Sequence, residues 1–251
     1  MAKRFRGPPQ GWAALRWEVG VVFVGVVLAL LAQQVADTLY WREQAAQAKR
    51  SIESELLEHE VDAFERLAVQ PCLTRQLRAL HDRLASNRGE WRGLPMATRQ
   101  AIVRSATQQV VPTAYRSPSR LWSKEAWERA QATGALNHLP DRLVQIYAEI
   151  YTRSQRNKLQ QDSESAAAAR LSALAVDGRI DAPSRILLLA AIAQIDQDNS
   201  SIVAATTQIL ERLGVALRDV PDDRRKLALN ERLKLQRTFR GSCVVNVPIE
   251  L

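Results

Sequence analysis

The sequence predicts an all-α protein: a single N-terminal transmembrane helix followed by an extramembrane helical bundle. Three observations carry that prediction. Residues Val19 to Ala32 read VGVVFVGVVLALLA, fourteen positions without a polar side chain. Ala, Leu, Gln, Arg and Glu, all good helix formers, dominate the remainder. Downstream, apolar residues recur at spacings of three and four, the period of one helix face.

Composition sets the outer limits. A chain of 251 residues makes one or two domains, and 46% hydrophobic residues is too polar for a protein with many spans. The net charge of +8 admits nucleic acid, anionic lipid or no specific partner. The charge is mixed along the chain and no nucleic-acid-binding motif is recognisable, so nucleic acid is not expected as a partner.

A run of fourteen is short for a span and also suits a core helix or a signal-peptide core. Gly20 and Gly25 among the valines fit a spanning helix better than a water-soluble one. Trp12 and Trp17 precede the run, and Tyr40 and Trp41 follow it. At 1.5 Å per residue Trp17 and Trp41 stand about 36 Å apart, a separation suited to interfacial anchors. The span is therefore drawn at 19–39, including Gln33, Gln34 and Asp37 on one face. Asp37 is close enough to the far interface to stay hydrated. Small-x-small cleavage sites are poor, with Leu30 before Ala32 and Gln34 before Ala36 at the critical position, so the segment is expected to stay attached. Lys3, Arg4, Arg6 and Arg16 before the run outweigh Arg42, Lys49 and Arg50 after it, which puts the N-terminus in the cytoplasm. The expected organisation is a cytoplasmic leader over 1–18, a transmembrane helix over 19–39 and a helical periplasmic domain over 40–251.

The pattern Glu18-Val-Gly-Val-Val-Phe-Val-Gly25-Val-Val-Leu-Ala29-Leu, with Gln33-Gln34 and Trp41, resembles the anchor of a group of uncharacterised proteobacterial single-pass membrane proteins. Trp127-x-x-Ala130-x-x-x-Gly134 followed by Tyr147-x-x-Ile150-Tyr151 is a further similarity. The resemblance implies a topology in the bacterial inner membrane and no chemistry.

In the body, Leu57, Val61, Phe64 and Ala68 share a face, so a helix is expected to rise directly from the membrane to Pro71. Leu73, Leu77, Leu80 and Leu84 continue the spacing, either as a second helix or as a kinked continuation, to a stop near Asn87-Arg88-Gly89. A helix follows around 97–110. Ser117-Pro118 suggests an N-cap and first turn for a helix through Leu121, Trp122, Ala126, Trp127 and Ala130, ending near Gly134. Leu139-Pro140-Asp141 opens a long helix buried through Leu143, Ile146, Tyr147, Ile150 and Tyr151, polar beyond Ser154 and apolar again at Ala166–Ala169, Leu171 and Leu174. Gly178 and Pro183 bound the next connection. Ile186–Ile195, apolar on nearly all faces, is expected to be the central core helix. Ile202, Ile209, Leu210 and Leu213 extend it toward Gly214. A basic helix over about 222–238 and an extended tail, Val244–Ile249, complete the reading, with no internal repeat.

Few residue constellations point to chemistry. Cys72 and Cys243 would pair in an oxidising compartment and stay as two buried thiols in a reducing one. The acidic run Glu53, Glu55, Glu58, Glu60, Asp62 and Glu65 contains His59, but the Glu-x-x-His spacing of bundle metal sites is missing there and at His81 and His138. The run reads as a solvated or salt-bridged surface. No nucleophile elbow or glycine-rich phosphate loop occurs, so neither an enzyme nor a cofactor is expected. Arg75, Arg78, Arg83, Arg88 and Arg92, and the basic residues from Arg224 to Arg240, read as lipid-facing or as a solvated face partly paired with the acidic run. Gly25, Ala29, Ala32 and Ala36, with Gln33 beside them, form a candidate helix-association face for a homo-oligomer in the bilayer.

The function this supports is a membrane-anchored interaction or scaffold protein of the cell envelope with an unknown protein partner. The alternative is a ligand-binding or sensory module working with a partner subunit, since the leader is too short for an output domain. A deep pocket with converging polar groups favours the alternative, and a solid core with an exposed apolar groove favours the scaffold.

Overall fold

The computed structural model describes residues 11–95, 115 and 117–247. Most of the leader, the helix expected around 97–110 and the tail beyond residue 247 lie outside the described residues. What is described is helical: α1 (Gly11–Ser86), α2 (Glu125–Ala132), α3 (Asp141–Arg170), α4 (Ala182–Ala216) and α5 (Asp222–Arg240), with short 3-10 turns at Ala135–His138, Leu171–Ala175 and Gly241–Cys243. Two strands of two residues, β1 (Glu90–Trp91) and β2 (Gly178–Arg179), pair antiparallel.

The alternatives at Pro71 resolve into one 76-residue helix that runs through the proline. Every residue of α1 with a described side chain is exposed from Gly11 to Tyr40, including the whole apolar run. Burial begins at Trp41 and Ala45. From Ile52 to Leu84 the same helix is the axis of the bundle, with α4 and α5 packed against it and α3 packed along α4. The central helix is thus α1 and not Ile186–Ile195. Leu188, Ala191, Ile192 and Ile195 are buried, but Ile186 and Leu187 stand 67% and 70% exposed. α4 packs on α1 and α3, and the face that carries Ile186 and Leu187 is left uncovered.

Helix ends follow local chemistry. The Asp181 carboxylate accepts the Ser184 N–H at 2.8 Å and Pro183 occupies the first turn of α4. Gly134 takes φ +75°, a conformation open to glycine, and stops α2 after Thr133. Ser117-Pro118 opens no helix: the Ser117 hydroxyl accepts from the Arg66 guanidinium in the interior, so α2 starts only at Glu125. Leu121 and Trp122 lie in the preceding loop, where Trp122 holds φ +50°.

The core has three levels. An apolar cluster near the anchor contains Ile52, Leu56, Trp122, Tyr147, Ile150, Ile209 and Leu213. A distal cluster contains Leu73, Leu77, Leu84, Trp91, Leu171, Leu188 and Ile195. Between them lies a belt of buried polar and charged residues contributed by α1, α3, α4, α5 and the loop before α2. The small β pairing closes the distal end. The Trp91 indole N–H and the Leu94 amide both donate to the Leu174 carbonyl, at 2.9 and 2.8 Å. Gly93 packs so closely on Ala175 that a Cβ there would collide with its carbonyl.

Candidate functional site

The acidic run read as a surface is the centre of the polar belt. His59, Glu60, Asp62, Glu65 and Arg66 are all buried. Each carboxylate meets an arginine from elsewhere in the chain. Glu60 takes two guanidinium nitrogens of Arg225. Glu65 takes two from Arg120, and Asp62 lies 3.3 Å from Arg120 and 2.5 Å from Arg232. Arg232 also reaches Glu58 at 3.1 Å. Arg66 reverses the polarity: it donates to both oxygens of Glu164, at 3.2 and 3.3 Å, and to Asn199 and Ser117. Tyr115 donates to Glu164 and accepts from Asn199 at 2.9 Å. The stretch of α3 read as polar is therefore partly interior, with Ser154, Asn157, Gln161 and Glu164 all buried.

These contacts explain the loop before α2. Descending beside α1, it places Ser117 against Arg66, Arg120 against Glu65 and Asp62, and Ser123 against Glu55 and His59, while Tyr115 reaches Glu164 and Asn199. The Glu55 carboxylate accepts from the hydroxyls of Tyr151 and Ser123, at 2.5 and 2.8 Å, and from the Ala126 amide at 3.1 Å, so it caps the start of α2 from outside. Buried charges tolerate this environment only when paired and hydrogen-bonded. Glu58, Asp62 and Glu65 outnumber Arg120 and Arg232, which leaves one negative charge in excess. Burial, aided by Glu65 and opposed by the two arginines, raises the Asp62 pKa to about 6.

His59 is the one residue here with nucleophile-activating potential. Its Nε2 donates to the Ser123 carbonyl at 2.8 Å, which leaves Nδ1 to accept from the Ser154 hydroxyl at 3.1 Å. That is the connectivity of a serine and an oriented base. His59 and Ser154 are 1% and 0% exposed. Burial pushes the imidazole pKa down to about 4, so the ring is neutral at pH 7. The pair packs against Trp122 and Tyr151 at ring distances of 5.4 and 5.7 Å. Its position is that of an interior hydrogen-bonded histidine. Among the described residues, no three His, Cys, Asp or Glu side chains converge as metal ligands.

The basic clusters divide. Arg225 and Arg232 pair with the acidic run, as one of the two readings expected. Arg83 stacks on the Trp91 ring at 4.5 Å and Arg88 donates to the Ala85 carbonyl at 2.7 Å, so both hold the distal turn. Cys72 and Cys243 are bridged, with Cα atoms 5.1 Å apart across 171 residues. Beside the bridge, the Val245 amide donates to the Ala68 carbonyl at 2.9 Å.

Among the surface concavities of the described residues, two are candidates for function. A groove of about 720 Å³, open to solvent, runs between α1 and α4 in the distal half, with Leu77, Leu189 and Ile192 apolar and Arg78, His81 and Asp196 polar. A recess of about 480 Å³ lies where α1 leaves its apolar segment. Leu30, Gln33, Gln34, Asp37, Trp41 and Arg42 line it from α1, and His138 lines it from the 3-10 turn above, stacked on Trp41 at 4.4 Å. The expected association face, Gly25, Ala29, Ala32 and Ala36, is exposed and nothing packs on Gly25. Gln33, assigned to that face, also lines the recess.

Comparison with family models, with curated proteins and with solved structures finds no match to the chain.

Proposed function

We propose that the chain is a single-pass protein of the bacterial inner membrane whose periplasmic helical bundle acts as a tethered interaction module, without catalysis. One observation carries this reading. The apolar segment of α1 is wholly exposed, yet it belongs to the same unbroken helix that forms the axis of the bundle. In water that exposure has no compensation. In a bilayer it is the ordinary state of a span.

The Cys72–Cys243 bridge supports an oxidising compartment for the body, and the basic leader supports the same orientation. The solvent-open distal groove supports contact with a protein more than enclosure of a small ligand. By helix rise it stands about 45–60 Å from the membrane exit at Trp41. A sensory role with a partner subunit has its own support: a charged layer separates two apolar clusters around a helix continuous with the span. Charged layers of this kind act as registers or switches in some bundles.

Two measurements test the proposal. Alkaline carbonate should leave the full chain in the membrane pellet, and release into the supernatant rejects the anchor. A C-terminal reporter active only outside the cytoplasm should be active, while activity of a cytoplasm-only reporter reverses the orientation.

A further inference from the structure

We infer that the distal groove between α1 and α4 seats a three-turn amphipathic helix of another protein, with an acid at one end and a base at the other. The inference rests on the interaction reading above and names the partner that reading calls for. Ile186–Ile195 is apolar on nearly all faces, a pattern that belongs to an enclosed helix. The bundle encloses half of it. Leu188, Ala191, Ile192 and Ile195 are buried, whereas Ile186, Ala190 and Ala193 are exposed and Leu189 is half-buried. That second set repeats at i, i+3, i+4 and i+7, the spacing of one helix flank. From Leu189 onward it lines the groove together with Leu77 of α1, a floor that suits a helix laid between two others.

The two ends of the groove differ in charge. Arg66 donates to Asn199 across the seam of α1 and α4, which sets the register of these antiparallel helices. From that pair, Asp196 lies about 4.5 Å and Arg78 about 18 Å toward the distal pole. Both line the groove, and neither has an ion-pair partner among the described residues. His81, beside Arg78, is engaged with Asp82 at 3.1 Å. Opposite charges thus stand about 13 Å apart along the groove, the rise of about nine helical residues. Two side chains at that separation also leave a helix on opposite flanks, as Arg78 on α1 and Asp196 on α4 require. Of the segments outside the described residues, 96–114 holds Arg99 and Arg104 but no acid, and 248–251 is too short to fill three turns. The face of Gly25, Ala29, Ala32 and Ala36 lies about 165° around α1 from the groove. A second copy joined there leaves both grooves facing outward.

The test titrates the full chain, held in amphipol, against three fluorescent helix-stapled peptides. All share four leucines at i, i+3, i+4 and i+7. Nine residues apart they carry Lys and Glu, Lys twice, or Glu twice. Wild type should bind the Lys/Glu peptide about fivefold more tightly than either of the others, the most that one exposed ion pair contributes. Ala193→Trp, which fills the groove from an exposed position, should abolish binding of all three. Arg78→Glu should move the preference to the Lys/Lys peptide, a change that loss of folding does not produce. Equal affinity for the three peptides, or binding that survives Ala193→Trp, overturns the seat. A wild-type dimer that Ala193→Trp dissolves makes the occupant a second copy and also overturns it. So does binding that appears only after a Gly-Ser linker replaces residues 96–114, which makes the occupant the chain itself. Carbonate washing of the same membranes separates this inference from the reading beneath it. A retained chain that binds no peptide rejects the seat alone, a released chain that binds rejects the anchor alone, and a released chain that binds nothing rejects both.

Discussion

The backbone N–H of Val245 donates to the carbonyl of Ala68 at 2.9 Å, three residues before the proline inside α1. Pro71 has no N–H to give and its ring crowds the preceding turn, so that turn is loosened within the helix. The C-terminal segment docks on it, and the Cys72–Cys243 bridge locks the contact. Val245→Pro removes the donor. Val244 already has the extended backbone that a following proline prefers. Stability should fall by about 1 kcal/mol in denaturant titration, and dithiothreitol should reduce the bridge faster. An unchanged reduction rate would mean the bridge alone holds the tail. For a loop of this length the chain-entropy contribution of the bridge is about 5 kcal/mol at most.

Arg66→Met should cost about 3–5 kcal/mol, because it strands the Glu164 carboxylate in the interior. Adding Glu164→Leu should recover part of the loss, since an apolar pair of similar volume replaces buried ions at little cost. Chemical denaturation of the two variants checks this. A double variant weaker than the single one would show that Tyr115 and Asn199 need the carboxylate more than the arginine does.

The neutral His59 makes stability pH-dependent. Its pKa, near 6.5 when unfolded, falls to about 4 in the fold. Its contribution is therefore complete above pH 6.5 and is lost as pH falls through 4. Asp62, raised to about 6, acts oppositely: its contribution is present below its unfolded value of 3.8 and is lost as pH rises through 6. His59→Gln keeps a donor and an acceptor but does not titrate. The gap between wild type and variant should shift by about 3 kcal/mol between pH 7 and 4. A constant gap across that range would contradict the assignment.

Gly93→Ala drives a methyl group into the Ala175 carbonyl and disturbs the Leu94–Leu174 hydrogen bond. A loss of about 1–3 kcal/mol is expected, the usual cost of overpacking. Trp91 fluorescence reports it locally, because its indole bonds to Leu174 in the same turn.

Gly25→Leu should reduce dimer crosslinking in membranes if Gly25, Ala29, Ala32 and Ala36 pack helix on helix. A wild type that crosslinks only as monomer removes the association face.

The helical architecture and a stop just before Asn87-Arg88-Gly89 were legible because apolar spacing and glycine stops are local signals, while continuity through Pro71 was one of two open readings. The interior was not. Buried apolar side chains of residues 52–69 fall on more than one face: Leu57, Val61, Phe64 and Ala68 share one, while Ile52, Leu56 and Ala63 share another about 130° away, which marks an enclosed helix. The interleaved Glu60, Asp62 and Glu65 disguised it, because their arginine partners are supplied 55 to 170 residues away. Ile186–Ile195 misled in the opposite sense: a run apolar all round need not be covered all round. The two cysteines were legible as a pair by elimination, but the recess was not, since His138 joins Trp41 only through the return of the chain past the base of α1.

The far separation of those charge partners governs the order in which the protein can be built. Glu60 and Asp62 are synthesised long before Arg225 and Arg232, and Cys72 precedes Cys243 by 171 residues. Throughout that interval the axial helix carries hydrated carboxylates and an open flank. The interior can dry out only when α5 arrives, so nascent chains halted before residue 225 should remain soft, protease-sensitive and dependent on chaperones.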